Sequence, residues 1–253
     1  MTTVQSLWIG NTLPELQQLS IRSFLAHGHS YHLYTYGGVD GVPEGTTICD
    51  GTEIFPSENI FSYQHGYGKG SYSAFSNVFR YKLLLERGGW WVDTDVVCLK
   101  PFEFSDSYVF ATEYDKDGSI YCATCTFRCP AGAPILEHCL QVSLSKDRQT
   151  LLWAEIGPLL LTDAVKQFEL DRHCVPVDTF APIHHFEFGS AVEPHFDMSR
   201  LAHSSSVHLW NQMWREHGTG PNRETPANSL YGILREKYSP LRLDAGPGVA
   251  HSS

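Results

Sequence analysis

Two carboxylates, Asp93 and Asp95, interrupt the otherwise apolar run Trp90–Leu99. If that run is one strand, residues two apart project from the same face, so both carboxylates point the same way. Their neighbours are Trp90, Trp91, Val92, Val96 and Val97. Two like charges beside so much apolar surface cost on the order of several kcal/mol unless something compensates them. A divalent cation compensates both at once, and all-oxygen donors suit Mn2+ or Mg2+. The plainer reading is a strand end where both carboxylates reach water or cap a helix, and an isolated Asp-x-Asp does not choose between the two.

The elements around the pair are well marked. Ser71 is placed to cap a helix that runs through Arg87, and Gly88-Gly89 ends it. Ser76, Asn77, Arg80 and Arg87 fall on one arc of that helix, with Phe75, Val78, Phe79, Leu83 and Leu85 over most of the rest. The helix is therefore expected to be largely buried, with a narrow polar stripe. Lys82 and Glu86, four apart, read as a solvated pair. Upstream, Val4–Ile9 reads as a strand closed by Gly10, and Leu13, Leu16, Phe24 and Leu25 as a helix stopped at Gly28. Tyr31–Tyr36 reads as a second strand, and residues 37–70 as a long irregular excursion. A strand, helix, strand succession predicts an α/β fold with a parallel sheet. Beyond residue 101, β-like segments (Tyr108–Thr112, Ile120–Phe127, His173–Val177) alternate with helical ones (Pro134–Ser145, Pro158–Leu170). One domain over residues 1–238 and a loose tail over Ser239–Ser253 complete the expected organisation.

Composition narrows the function classes. The 253 residues carry a formal charge of −10, with 42% hydrophobic and 13% aromatic residues. That core content suits a packed globular protein. The acidic balance argues against a nucleic-acid binder, which needs Lys and Arg to neutralise phosphates, but leaves room for a single nucleotide. No apolar run reaches the about 18–20 residues of a transmembrane span. Met1–Ser6 lacks the basic and apolar segments of a secretion signal, so a cytoplasmic place is expected, with a position at the periphery of the inner membrane left open. The seven cysteines are expected to be reduced. Cys122-x-x-Cys125-x-x-x-Cys129 invites a metal-cluster reading, but strand alternation over Tyr121–Phe127 sets Cys125 and Cys129 on one face and Cys122 on the other.

The segment Ser76-Asn77-Val78-Phe79-Arg80-Tyr81, then Leu84, then Gly88-Gly89-Trp90-Trp91-Val92-Asp93-Thr94-Asp95 resembles the signature of the DXD glycosyltransferases of the family 32 type. That family includes capsular-polysaccharide sugar transferases, α-1,4-galactosyltransferases, α-1,6-mannosyltransferases and, more distantly, the glucosylating domains of large bacterial toxins. Weaker likeness at Leu7–Gly10, Gly157-Pro158 and Val207–Asn211 extends it over residues 4–215. The resemblance implies a GT-A fold: a Rossmann-like, mostly parallel sheet flanked by helices in a single domain, with nucleotide and metal beyond the carboxyl ends of the strands. It implies a nucleotide-sugar donor, UDP-linked by majority usage, contacted by Trp8, Ile9, Ser76, Asn77, Arg80, Trp91, Asp93, Trp210 and Asn211. Trp8 would stack on the base, Arg80 would meet sugar or phosphate, Trp210 would close over the donor and Asn211 would bond a phosphate. Asp95 would ligate Mn2+ (or Mg2+), with Asp93 sharing it and His208 as a further ligand. Asp93, Asp95, Arg80 and Glu155 are the expected catalytic group, Glu155 on the acceptor side.

The reaction so implied is transfer of a sugar, with retention, to the hydroxyl of a saccharide, glycolipid or protein acceptor. The chain departs from the signature at Asn77, where the family has Asp; Asn keeps hydrogen-bonding capacity and loses the charge. Two rival readings stand beside this one. Asp93-Thr94-Asp95-Val96-Val97 also fits the first motif of aspartyl-phosphate phosphatases, with Asp93 as nucleophile and Asp95 as acid/base, although the downstream acidic motif of that chemistry is missing. Asn77 motivates the other rival, a nucleotide-sugar binding module without turnover.

Overall fold

The structure, a computed structural model, describes residues 2–221 and 224–239. The chain opens with β1 (Thr3–Trp8), α1 (Glu15–Ala26) and β2 (Ser30–Thr35), followed by a short strand β3 (Thr46–Asp50). Helix α2 (Ser73–Arg87) leads through Gly88 into β4 (Gly89–Val92) and then β5 (Val96–Cys98). A hairpin of β6 (Val109–Tyr114) and β7 (Ile120–Cys129) precedes α3 (Pro134–Ser145) and α4 (Pro158–Gln167). Strand β8 (Ser206–His208), α5 (Asn211–Glu216) and α6 (Leu230–Lys237) follow a long stretch of short 3-10 turns.

Six strands form one sheet in the order β3-β2-β1-β4-β7-β6. β1 is parallel to both β2 and β4, and β2 is parallel to β3. Only β7 runs against its neighbours β4 and β6. The remaining two strands, β5 and β8, make a separate antiparallel pair in which Val96 faces His208.

Alternation on β4 sends adjacent indoles to opposite faces of the sheet. Trp91 packs with Phe79 of α2, Phe127 of β7 and Leu161 of α4, whereas Trp90 joins Phe24 of α1, Phe102 and Phe180. A third cluster packs Val97 of β5 and Val207 of β8 with Leu16 and Leu19 of α1 and takes in Trp214 of α5 and Tyr231 of α6. Gly88 makes the tight exit from α2: its φ is +65°, and a Cβ there would stand 2.5 Å from the Ala131 nitrogen. Among the described residues no helix is long and apolar enough to cross a membrane.

Several expectations are corrected. Trp90–Leu99 is two short strands in different sheets, because the chain turns at residues 93–95. The excursion over residues 37–70 contains β3, whose pairing with β2 supplies what its exposed, unpatterned side chains do not announce. His173–Val177 is not a strand; Cys174 makes one isolated bridge to Phe110 between 3-10 turns. Helix α2 starts at Ser73, and Ser71 contributes by accepting the Ser73 N–H at 3.3 Å. On β7 a register shift opposite Phe110 and Thr112 breaks the alternation. Cys122 and Cys129 therefore share one core while Cys125 faces the other. The tail expected from Ser239 lies, beyond that residue, outside the described residues.

Candidate active site

Where β4 ends, Asp93 N–H donates to the Cys125 carbonyl at 2.7 Å and Val96 N–H returns to the Asp93 carbonyl at 3.0 Å. This turn carries the chain from the large sheet to the small one, so the two carboxylates converge through a turn and not through strand alternation. The Asp93 carboxylate accepts the Trp91 indole N–H at 2.8 Å and lies 3.2 Å from Arg80 Nη1. Arg80 is itself clamped: it donates to the Ser76 carbonyl at 3.1 Å, the Ser76 hydroxyl at 2.9 Å and the Thr124 carbonyl. Its guanidinium sits 4.6 Å from the centre of the Trp91 ring. A guanidinium so engaged orients Asp93 first of all.

Asp95 belongs to the other sheet. One carboxylate oxygen accepts the Asn211 backbone N–H at 2.9 Å, and the other lies 3.3 Å from His208 Nε2. The Val96–His208 register is what brings these two together. Trp210 packs on His208 with ring centres 4.0 Å apart, and its indole N–H donates to the Ile183 carbonyl at 2.8 Å. Its backbone is left-handed, φ +53°, a conformation a bulky residue holds only when its surroundings impose it.

Electrostatics separates the pair. Burial raises Asp93, and the neighbouring Asp95 charge adds to that, against the opposing pull of Arg80. Burial acts on Asp95 as well, but the His208 charge and hydrogen bonds from His208 and Asn211 bring it below the ordinary carboxylate range. His208 is pushed down by burial and lifted well above its ordinary value by Asp95 and Cys125.

These groups line a cavity of about 630 Å³ at the carboxyl ends of β1 and β4, the position at which open α/β sheets hold ligands. Trp8, Ile9 and Trp91 line it together with Ser76, Asn77 and Arg80 of α2. Asp93, Asp95, His208, Trp210 and Asn211 complete the expected set. The Asn77 side-chain oxygen is buried without a hydrogen-bond partner. Glu155 is not brought in: its carboxylate is taken by Lys146 at 2.6 Å and by the Leu152 N–H at 3.1 Å.

Sequence reasoning missed other parts of the wall. Glu113, Tyr121 and Cys125 stand behind His208, and Tyr63, Tyr67 and Trp153 form an aromatic side. Glu113 had a readable signal, a carboxylate inside the buried run Val109–Glu113. The aromatic side had none, since it is assembled from two distant loops.

The donor chemistry fits a divalent cation. One ligand atom each from Asp93, Asp95 and His208 lie within 4.8 Å of one another, and two carboxylates with an imidazole suit Mn2+ or Mg2+.

Residues 52–114 match the family described as "Glycosyltransferase sugar-binding region containing DXD motif". Among solved structures the chain is similar to "PaToxG Glycosyltransferase", at 15% identity over 96% of this chain and 86% of that one, with a TM-score of 0.50. It is also similar to the apo form of the glycosyltransferase GlyE of Streptococcus pneumoniae TIGR4, at 13% identity over 94% of this chain and 63% of that one, TM-score 0.49. No curated protein sequence matches. The strand order, with its one reversed strand, and the first of these likenesses make the fold GT-A.

Proposed function

We propose that this chain, which carries the sugar-binding region of DXD-motif glycosyltransferases, moves a sugar from a nucleotide-sugar donor, UDP-linked, to an acceptor hydroxyl with retention at the anomeric carbon. The observation that carries the reading is the convergence of Asp93, Asp95 and His208 at the mouth of β4, beside Trp8, in one cavity.

In this reading Asp93, Asp95 and His208 hold a divalent cation, Mn2+ for preference, which supplies positive charge where the departing diphosphate becomes negative. Arg80 and the Trp91 indole fix Asp93, and the Asn211 N–H fixes Asp95, so the carboxylates are oriented before the donor arrives. Trp8 offers its ring to the base. Asn77, on the sugar side of α2, offers a buried acceptor oxygen that has no partner of its own. The new bond joins the acceptor oxygen to the anomeric carbon on the face that the diphosphate leaves. The bond to the diphosphate oxygen breaks with its electron pair, and the acceptor's proton passes to the diphosphate.

The test is a panel of UDP- and GDP-sugars incubated with pure protein, with Mn2+ or with chelator. Slow, Mn2+-dependent release of nucleoside diphosphate is the expected result. Release of phosphate from aryl phosphates would instead place Asp93 as a phosphatase nucleophile. Tight binding with neither product would make the chain a nucleotide-sugar binding module.

A further inference from the structure

On the side of His208 away from Asp95, three buried donors of different chemistry face one another. Glu113 on β6, Cys125 on β7 and His208 at the end of β8 are 6%, 3% and 8% exposed. Cys125 Sγ lies 3.7 Å from Glu113 Oε1, His208 Nδ1 lies 3.8 Å from that same oxygen, and all three donor atoms are within 4.8 Å of one another. A tetrahedral ion with sulfur at about 2.3 Å and nitrogen and oxygen at about 2.0 Å spaces its donors about 3.3–3.5 Å apart. The two Glu113 separations, 3.7 and 3.8 Å, are a few tenths of an ångström from that geometry.

Two further features point to a ligand. His208 Nδ1 is buried without a hydrogen-bond partner, which is costly for an imidazole nitrogen unless something meets it. The second Glu113 oxygen accepts the Tyr121 hydroxyl at 2.9 Å, the outer hydrogen bond that a ligating carboxylate commonly has. Glu113, Tyr121, Cys125 and His208 all lie on the cavity wall, which provides an entry path and a fourth position.

We propose that Glu113, Cys125 and His208 Nδ1 form a second cation site, selective for a thiophilic, tetrahedral ion such as Zn2+, behind the oxygen-rich Asp93–Asp95 pair. Cys125 binds as the thiolate, and its proton leaves to solvent. With Nδ1 on this ion, the remaining ring proton sits on Nε2 and is donated to Asp95. Nε2 then has no lone pair for a cation at Asp93 and Asp95. The inner and outer sites are therefore antagonistic, each weakening the other by the same factor. The antagonism rests on the function proposed above; the inner site does not.

Cd2+ probes the site directly, because a cadmium–thiolate bond gives a charge-transfer band in the ultraviolet. Cys122 and Cys174, with sulfurs 3.6 Å apart, are a competing pair, so the titration uses the Cys122→Ser/Cys174→Ser protein. One equivalent of Cd2+ should raise the band there, and adding Cys125→Ser should remove it while circular dichroism shows the fold retained. Glu113→Gln, which keeps the thiol, should weaken Cd2+ affinity about tenfold or more, and Tyr121→Phe should weaken it about tenfold. No band, or a band unchanged by Cys125→Ser, overturns the inner site; Glu113→Gln affinity equal to the parent's overturns it even if Cys125→Ser fails to fold. Free Mn2+, read by paramagnetic resonance, should rise at lower Zn2+ in the parent than in the Cys125→Ser protein, where Zn2+ can displace Mn2+ only by direct competition. A Cd2+ band with Mn2+ binding unmoved overturns the antagonism. A Cd2+ band in protein that never binds Mn2+ supports the inner site and overturns the Mn2+ part of the proposed function.

Discussion

Asp93 and Asp95 sit two positions apart but in different electrostatic settings, so the same substitution at each should affect metal-free stability differently. Asp95 is stabilised as a carboxylate by His208 and the Asn211 N–H, whereas burial disfavours the charge on Asp93. Asp95→Asn should abolish Mn2+-dependent donor turnover and lower the melting temperature of the metal-free protein, because it leaves His208 facing a neutral group. Asp93→Asn should also stop turnover but leave the metal-free melting temperature level or higher. Parallel melting curves in chelator check both, and equal shifts would refute the asymmetry. Trp8→Ala should weaken nucleotide binding by about 1–3 kcal/mol, and equally for free nucleoside diphosphate and intact donor, which calorimetry on the two ligands reads directly. The membership of this corner was largely legible: the Asp pair from like charge in an apolar run, Arg80 from a family signature, and Trp8 and His208 from the weaker likeness that flanks it. Glu113 was overlooked because its signal, a single acid at the end of a β-like segment, lacks the paired spacing that drew attention to Asp93 and Asp95.

At the scale of elements, burial patterns gave α1, α2, α3, α4 and most of the parallel strands, since their apolar faces repeat at the helical or strand period. β3 and the break between β4 and β5 were not legible. The first is half-exposed and stabilised by backbone pairing to β2, and the second depends on a turn whose flanking residues are all apolar. The loop before α2 spans the cavity, with Tyr67 reaching Met213 and the Gly68 N–H reaching Glu216 of α5. Gly68 has φ +75°, and a Cβ there would meet the Trp153 ring at 2.3 Å. Gly68→Ala should therefore cost about 1–3 kcal/mol in denaturant unfolding and shift the indole fluorescence, leaving Mn2+ affinity unchanged. An unmoved midpoint would mean that the loop does not pack against Trp153. Glu155, held below its usual range by Lys146 and the Leu152 N–H, ties the segment before α4 to the end of α3. A depressed carboxylate stabilises above its ordinary pKa, and the contribution is lost as pH falls through the folded value. Glu155→Gln should thus melt slightly lower at neutral pH, by at most about 1 kcal/mol for so exposed a pair. The two melting curves should converge on acidification, with turnover unchanged at neutral pH.

For the molecule as a whole, the proposed cation and nucleoside diphosphate, bound between the two sheets, would stabilise the folded state by mass action. Saturation at about a hundred times the dissociation constant adds about 2.7 kcal/mol, a melting rise of about 5–10 °C for a protein of this size. Thermal melts with Mn2+ and UDP together, reversed by chelator, check this; a rise with UDP that chelator leaves untouched would separate nucleotide binding from the cation. The split between the sheets also governs the order in which the molecule is made. Every strand of the large sheet has been synthesised once Cys129 is added, but β5 waits for its partner until Ser206–His208, and the Asn211–Asp95 bond spans 116 residues. At about 5–20 residues per second, translation from Cys129 to His208 takes about 4–16 s. During that interval Asp93 and Asp95 follow β4 without their imidazole. In the proposed function, the residues for cation and donor are complete only when His208 and Asn211 have been made.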